Sequence, residues 1–107
     1  ATATAQVTFH MPYAFTLTNV KAGVTTAPVG STLIVDINEA GSSIFGTNKL
    51  SIDASEKTSA TAATAVSMSG GAGPALAADA LMTVDIDQVG SSTAGTGLKI
   101  YLIGYQT

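Results

Sequence analysis

The sequence predicts an all-β protein, specifically an antiparallel jelly-roll β-sandwich of about eight strands. Short stretches of alternating apolar and polar residues recur along the 107 residues, turn residues separate them, and no stretch keeps the helical period. Many short strands divided by turns are typical of antiparallel sandwiches, among which the jelly roll has about eight strands. The expected organisation is a linker or N-terminal arm over residues 1–5 and a single domain over residues 6–107.

The clearest strands belong to a near-repeat. The segment VDINEAGSS of residues 35–43 returns as VDIDQVGSS in residues 84–92. In each copy the valine and the isoleucine share one face of an extended strand, and polar residues lie on the other. A glycine followed by serines ends each strand, because glycine accepts positive φ and serine bonds to nearby backbone. We therefore expect residues 32–38 and 80–88 to form equivalent strands.

The N-terminal third indicates two further strands and a loop. Residues 6–10 alternate, and residues 13–20 follow the break at Met11-Pro12 with alternate apolar residues on one face. Residues 21–31 contain two glycines and a proline, which favours the end of a strand followed by a loop.

The middle of the chain carries weaker signals. Residues 43–45 and 49–52 indicate two short strands about a Gly-Thr-Asn turn, which predicts a hairpin. Residues 53–56 follow as another turn. Residues 57–68 are rich in threonine, which favours strand, and in alanine, which favours helix, and we expect an irregular edge strand there.

The C-terminal part ends in an unusual strand. Residues 69–74 form a glycine-rich loop, residues 75–80 could hold a single helical turn, and residues 98–105 form the last strand. That strand is apolar on both faces, and such strands usually have both faces covered. A sandwich covers only one, so a loop or another subunit is expected over the second face, which carries the candidate oligomer interface of Tyr101, Ile103 and Tyr105.

The predicted core takes its apolar residues from these strands. They are Val35, Ile37, Val84, Ile86, Phe15, Leu17, Leu33, Ile100 and Leu102.

Composition excludes several functions. Charged residues are 10% of the chain, against ~25% in ordinary globular proteins. A surface built from Thr, Ser, Gly and Ala is suited to close packing against other protein. Four lysines, no arginine and a net charge of −3 argue against binding to nucleic acid or to an anionic membrane. The absence of cysteine excludes disulfides and thiolate metal sites.

Three aspartates and one asparagine on the polar strand faces are the first candidates for chemistry. They are Asp36, Asn38, Asp85 and Asp87, with Glu39 close by. Their oxygens could bind Ca²⁺ or form an acid/base pair for glycoside hydrolysis, but no calcium-loop spacing is present. We expect them to keep the polar faces solvated.

Other chemical signals are weak. His10 is the sole histidine, so a histidine metal site would need several chains, and a structural role is expected. Serines lack the Gly-x-Ser-x-Gly pattern, and residues 69–73 lack the lysine of a phosphate loop. Tyr101 and Tyr105 could contact a ligand, although packing or interface use is the plainer expectation. We expect no catalytic site, metal or cofactor.

Four stretches resemble a module of tailed-bacteriophage virion proteins. They are FHMPYAFTL at residues 9–17, the paired Val-Asp-Ile strands, DASEKTS at 53–59 and GLKIYLIG at 97–104. The resemblance covers nearly the whole chain from Gln6 and extends to β-sandwich domains of tail fibres, head fibres and capsid decoration (cement) proteins. It implies a homotrimer in the virion, in contact with proteins such as the major capsid protein or a fibre or tail component.

Three functional hypotheses follow. The first is a non-enzymatic virion structural module that decorates or stabilises the capsid or belongs to a fibre. The alternative is a carbohydrate-binding module of a tail fibre that recognises host glycans. The third is a hydrolase built on the acidic strand residues, which has the least support.

Overall fold

The computed structural model describes residues 3–46, 48–64, 66–67 and 75–106, and for residues 3–6 the backbone alone. Its strands are β1 Ala3–His10, β2 Phe15–Gly23, β3 Leu33–Glu39, β4 Ser42–Ser43, β5 Leu50–Ile52, β6 Ala75–Leu76, β7 Leu81–Gln88 and β8 Lys99–Gln106. One 3₁₀ turn, Ser59–Thr61, lies among the described residues.

The strands form two antiparallel sheets, as the all-β prediction requires. In sheet A, β7 lies between β1 and β3, and both β4 and β5 pair with the other edge of β3. In sheet B, β2 lies between β6 and β8. The inward side chains of the two sheets meet in one hydrophobic cluster, which makes the molecule a two-layer structure.

The two copies of the near-repeat are adjacent antiparallel strands. Val35 pairs with Ile86 and Ile37 pairs with Val84, so the apolar faces of β3 and β7 coincide. The equivalence of the two strands is therefore confirmed. Asp36 lies directly opposite Asp85 on the outer face of the same sheet.

The glycines of the repeat serve different purposes. Gly41 has a φ of +88° and closes the tight connection from β3 to β4, a conformation that L side chains rarely adopt. Gly90 has no such φ, but a Cβ there would lie 2.6 Å from the Val29 backbone nitrogen. The second glycine is therefore required by close backbone contact.

The core contains most of the expected residues. Val35, Ile37, Val84, Leu17 and Leu33 are buried, which confirms that part of the prediction. Four expected core residues are only partly buried and pack against the cluster: Phe15, Ile86, Ile100 and Leu102. The last three lie where the two sheets separate, so the core is incomplete on that side.

The hairpin expected from residues 43–52 is wrong. β4 and β5 both pair with β3 rather than with each other. Ile44 and Phe45, which follow β4, are 0% and 2% exposed. Burial of these two side chains holds the segment between β4 and β5 against the core, so this segment does not extend as a hairpin. Thr47 of the expected turn lies outside the described residues.

Two other expectations are also wrong. The described part of residues 57–68 forms no extended edge strand; it contains the 3₁₀ turn, begun by Thr58, whose Oγ1 accepts a hydrogen bond from the Ala60 N–H. Residues 75–80 begin with β6 and continue as a turn. Asp79 in this turn has a φ of +63°, which is incompatible with the expected right-handed helical turn. The glycine-rich segment 69–74 lies outside the described residues.

Strand boundaries differ at the N-terminal end. Pairing with β7 begins at Ala3, so β1 extends into residues 1–5, which the sequence indicates as a linker or arm. β2 begins at Phe15 and continues to Gly23, because its whole length pairs with β8. Tyr13 precedes the strand and is exposed.

Burial predicts a graded response to truncation of the core. Ile37→Ala should lower the free energy of unfolding by about 2–5 kcal/mol, the usual cost at an enclosed site. Ile86→Ala should lose only about 1–2 kcal/mol, because Ile86 is only partly buried whereas Ile37 is 1% exposed. Urea unfolding measures both variants. Equal losses would show that Ile86 is as enclosed as Ile37.

Candidate functional site

The outer face of sheet B carries the exposed apolar row that the sequence singles out. Tyr101, Ile103 and Tyr105, called here the tyrosine row, are 53%, 39% and 56% exposed. They lie at alternate positions of β8 and therefore share one face. None of the described loops covers them, so an internal cover, one of the two expected possibilities, is not formed in the described part of the chain.

The neighbours of the tyrosine row on β2 are polar. Thr16 lies opposite Tyr105, and Lys21 lies opposite Tyr101. A bulge at Thr18 interrupts the pairing, and the Thr18 hydroxyl donates a hydrogen bond to the Ile103 carbonyl at 3.2 Å. The row is thus a narrow apolar strip along one edge of a polar face.

The strand β8 is the edge of sheet B, and β2 is its neighbour. Two hydrogen bonds of β2 show which of its backbone groups face away from β8, and hence which residues of β8 face β2. The Val20 N–H donates to Asn19 Oδ1 at 2.8 Å, and the Ala22 N–H donates to Ser59 Oγ at 2.9 Å, so both point away from β8. Since backbone direction alternates along paired strands, Val20 and Ala22 form non-hydrogen-bonded pairs with Leu102 and Ile100.

The backbone groups of Ile100 and Leu102 therefore point to the free edge of β8. The odd-numbered residues of the strand direct theirs toward β2, in agreement with the Thr18 contact to the Ile103 carbonyl. In the part of the chain that the structure describes, no strand pairs with this second edge of β8.

A cleft of about 270 Å³ opens between the two sheets beside β8. It is lined by apolar side chains from β1, β3, β7, β8 and the residue before β8: Val7, Phe9, Ile37, Val84, Ile86, Leu98, Ile100 and Leu102. Because β1 and β8 are the edges of their sheets, the two sheets both end at this cleft. Val7 at its border is 52% exposed.

The outer face of sheet A holds the acidic residues of the repeat around one lysine. Lys49 Nζ lies 2.8 Å from Asp87 Oδ2 and 3.4 Å from Asp36 Oδ2. Asp36 is buried, so the expectation that it stays solvated is wrong, and it accepts a 2.5 Å hydrogen bond from the Ser43 hydroxyl. The lysine ammonium thus supplies the positive charge where the sequence suggests a cation.

The remaining acidic partners are also engaged. The Asn38 side-chain amide donates to Asp85 Oδ2 at 3.0 Å. Glu39 Oε2 accepts a hydrogen bond from the Ala77 N–H at 2.7 Å, which fixes the connection after β6. These contacts fit a structural role for the acidic set.

Electrostatics within this cluster favour the charged lysine. The hydrogen bond to Asp87 raises the pKa of Lys49 above its usual range, and the charge of Asp36 acts in the same direction. Partial burial opposes the shift, because it disfavours the ammonium form.

His10 occupies a structural position. Its Nδ1 lies 3.0 Å from the Asp79 carbonyl oxygen, which can only accept, so this nitrogen carries the proton. The contact joins the end of β1 to the turn before β7. Among the described residues, no group of three or more His, Cys, Asp or Glu side chains could hold a metal ion.

Sequence reasoning missed two features of the candidate site, the side chain of Lys49 and the free edge of β8. Lys49 lies in a weakly predicted segment, and only the three-dimensional pairing brings it to the repeat. The edge position of β8 depends on strand order, which local patterning does not encode. A signal was present, since β8 has eight residues and no proline.

Comparison with known proteins gives no match to a family model, to a curated protein or to a solved structure. Within the described residues, no helix is long and apolar enough to cross a membrane.

Replacement of Lys49 tests the cluster on sheet A. Lys49→Met should lower the free energy of unfolding by about 1–3 kcal/mol. Exposed ion pairs contribute less than this and the loss of one partner of a buried pair costs more, and Lys49 is two-fifths exposed. The effect should shrink in an Asp36→Asn background. Lys57→Met, at an exposed lysine, is the control in urea unfolding, and an equal loss there would contradict the assignment.

The same cluster sets an alkaline limit. Because folding raises the pKa of Lys49 above 10.5, its contribution is complete below that pH and is lost as the pH rises through the folded-state value. The difference between the parent and Lys49→Met should therefore be constant at neutral pH and decrease only above about pH 10.5.

Proposed function

We propose that this chain is a non-enzymatic, oligomeric β-sandwich module of a bacteriophage virion, where it decorates or stabilises the capsid or forms part of a fibre appendage. The observation that carries the association is the tyrosine row, which stands exposed on the outer face of sheet B. Exposed apolar patches on soluble proteins usually mark contacts, and tyrosine is a favoured residue at interface centres.

The location in a virion rests on the resemblance of residues 9–17, 53–59 and 97–104 to virion modules. Composition supports a packing role, because few charges stand on a surface built from small polar side chains. The resemblance implies three copies, in contact with the major capsid protein or with a fibre or tail component. A cryo-EM map of the parent particle would test the location, and density for the module away from the virion surface would overturn it.

The jelly-roll topology also belongs to this proposal. Its support is the return of the last strands to the first, since β7 pairs with β1 and β8 pairs with β2. Long-range pairing of this kind is a property of wrapped Greek-key sandwiches.

A charge in the tyrosine row tests the association. Ile103→Asp should convert the oligomer into folded monomers, because the contact would bury an unpaired carboxylate. Leu81→Asp is the matched control, since Leu81 is 43% exposed on a strand of sheet A. Light scattering gives the mass and thermal unfolding reports the fold. A native protein that is already monomeric at high concentration, or equal dissociation by both variants, would contradict the proposal.

A second candidate function is recognition of host glycans. Tyr101 and Tyr105 present two exposed aromatic rings on one sheet face, an arrangement on which sugar rings can stack. Specific binding on a glycan array, lost in Tyr101→Ala and in Tyr105→Ala, would favour this function. Absence of binding, with an intact oligomer, would leave the structural role as the better account.

A further inference from the structure

The free edge of β8 is of the kind that natural proteins protect. An uncovered edge strand offers unpaired N–H and C=O groups to another chain, and proteins usually blunt it with proline, with charges or by shortening the strand. β8 has eight residues, no proline and one charged side chain, Lys99, at its first position. Its side chains are also apolar on both faces.

We propose that β8 pairs antiparallel with β8 of a second copy, about a two-fold axis through Ile103. The inference rests on the self-association of the proposed function, but gives it a two-fold contact in place of the three copies that the resemblance implies. The pairing continues sheet B across the axis into one sheet of both copies. It is the edge-to-edge addition by which extended strands recognise each other.

The register follows from the direction of the backbone groups. The even-numbered residues direct theirs to the free edge, so they must form the hydrogen-bonded pairs. With the axis at Ile103, Leu102 pairs with Gly104 of the second copy and Ile100 pairs with its Gln106. All four free-edge positions of β8 are then satisfied.

The same register suits the tyrosine row. Odd-numbered residues form the non-hydrogen-bonded pairs, in which side chains approach most closely. Tyr101 then lies beside Tyr105 of the second copy, and the two Ile103 side chains meet at the axis. Cross-strand pairs of aromatic residues are among those that stabilise sheets. The exposed row of each copy becomes half of one continuous apolar surface.

Charge favours the antiparallel arrangement over a parallel one. In the proposed register the two Lys99 residues stand at opposite ends of the contact, about 26 Å apart, at the ~3.3 Å rise of a strand residue. That separation exceeds the Debye length of about 8 Å at physiological salt. A parallel pairing in register would place them about 5 Å apart.

The contact also covers the cleft between the sheets. The inward side chains of the second β8 extend sheet B beyond Ile100 and Leu102, which line the cleft mouth.

Cysteine substitution tests the register, because the chain contains no cysteine. Ile103→Cys places two thiols in a non-hydrogen-bonded pair with Cα atoms about 4.5 Å apart, within disulfide range. Oxidised glutathione should therefore cross-link this variant to twice the 10.6 kDa mass on a non-reducing gel. Tyr101→Cys is the matched control, since its two thiol positions would be about 13 Å apart.

The double variant Tyr101→Cys/Tyr105→Cys provides an independent check. In the proposed register the cysteine at position 101 of each copy lies opposite the cysteine at position 105 of the other copy. The proposal is supported if Ile103→Cys and the double variant cross-link while the control, Tyr101→Cys, does not. Cross-linking of Tyr101→Cys as readily as Ile103→Cys, or of none of them, overturns it.

The mass of the unaltered protein separates this inference from the proposed function. A dimer in light scattering supports the two-fold contact. A trimer overturns it, because a two-fold contact cannot close a ring of three, but agrees with the resemblance and leaves the proposed function standing. A monomer at high concentration overturns both.

Discussion

Strand β3 is the centre of sheet A, since β7 pairs with one of its edges and β4 and β5 pair with the other. Its register with β7 places Val35 and Ile37 in the core, and a slip by one residue would expose them and bury the acidic side. The price of this register is a directly opposed pair of carboxylates, Asp36 and Asp85. Like charges in such positions are destabilising, and Lys49 and the neighbouring amide and hydroxyl groups offset that repulsion. The inner packing and the outer charge cluster are thus two results of one strand pairing.

The core is incomplete on one side of the sandwich because both sheets end there. Sheet A ends with β1 and sheet B ends with β8, and both ends fall beside the same cleft. A small domain has little apolar surface to spare, and the side chains along this border remain partly exposed although they contact the core. Association on this side would complete the packing that a single copy leaves unfinished. The structural argument for association therefore comes from the layout of the sheets as well as from the tyrosine row.

Local patterning was enough to predict β3 and β7 from their alternating side chains, and β8 from its continuous apolar run. It failed where tertiary packing decides the course of the chain: the burial of Ile44 and Phe45 replaces a hairpin, and a positive φ at Asp79 replaces a helical turn. The apolar second face of β8 could be predicted because apolar residues occupy consecutive positions of the strand, but the sequence left open whether a loop or another subunit covers it. The role of Lys49 could not, because it depends on contacts between residues far apart in sequence.

The pairing order also determines when this fold can form. β1 and β2 are synthesised early, yet their partners, β7 and β8, come near the end of the described chain. Each pairing closes a loop of most of the domain, and such topologies fold slowly because the closure entropy precedes the stabilising contacts. At about 5–20 residues per second, translation leaves the early strands without partners for several seconds. Sheet B therefore cannot complete its pairing until β8 has been synthesised.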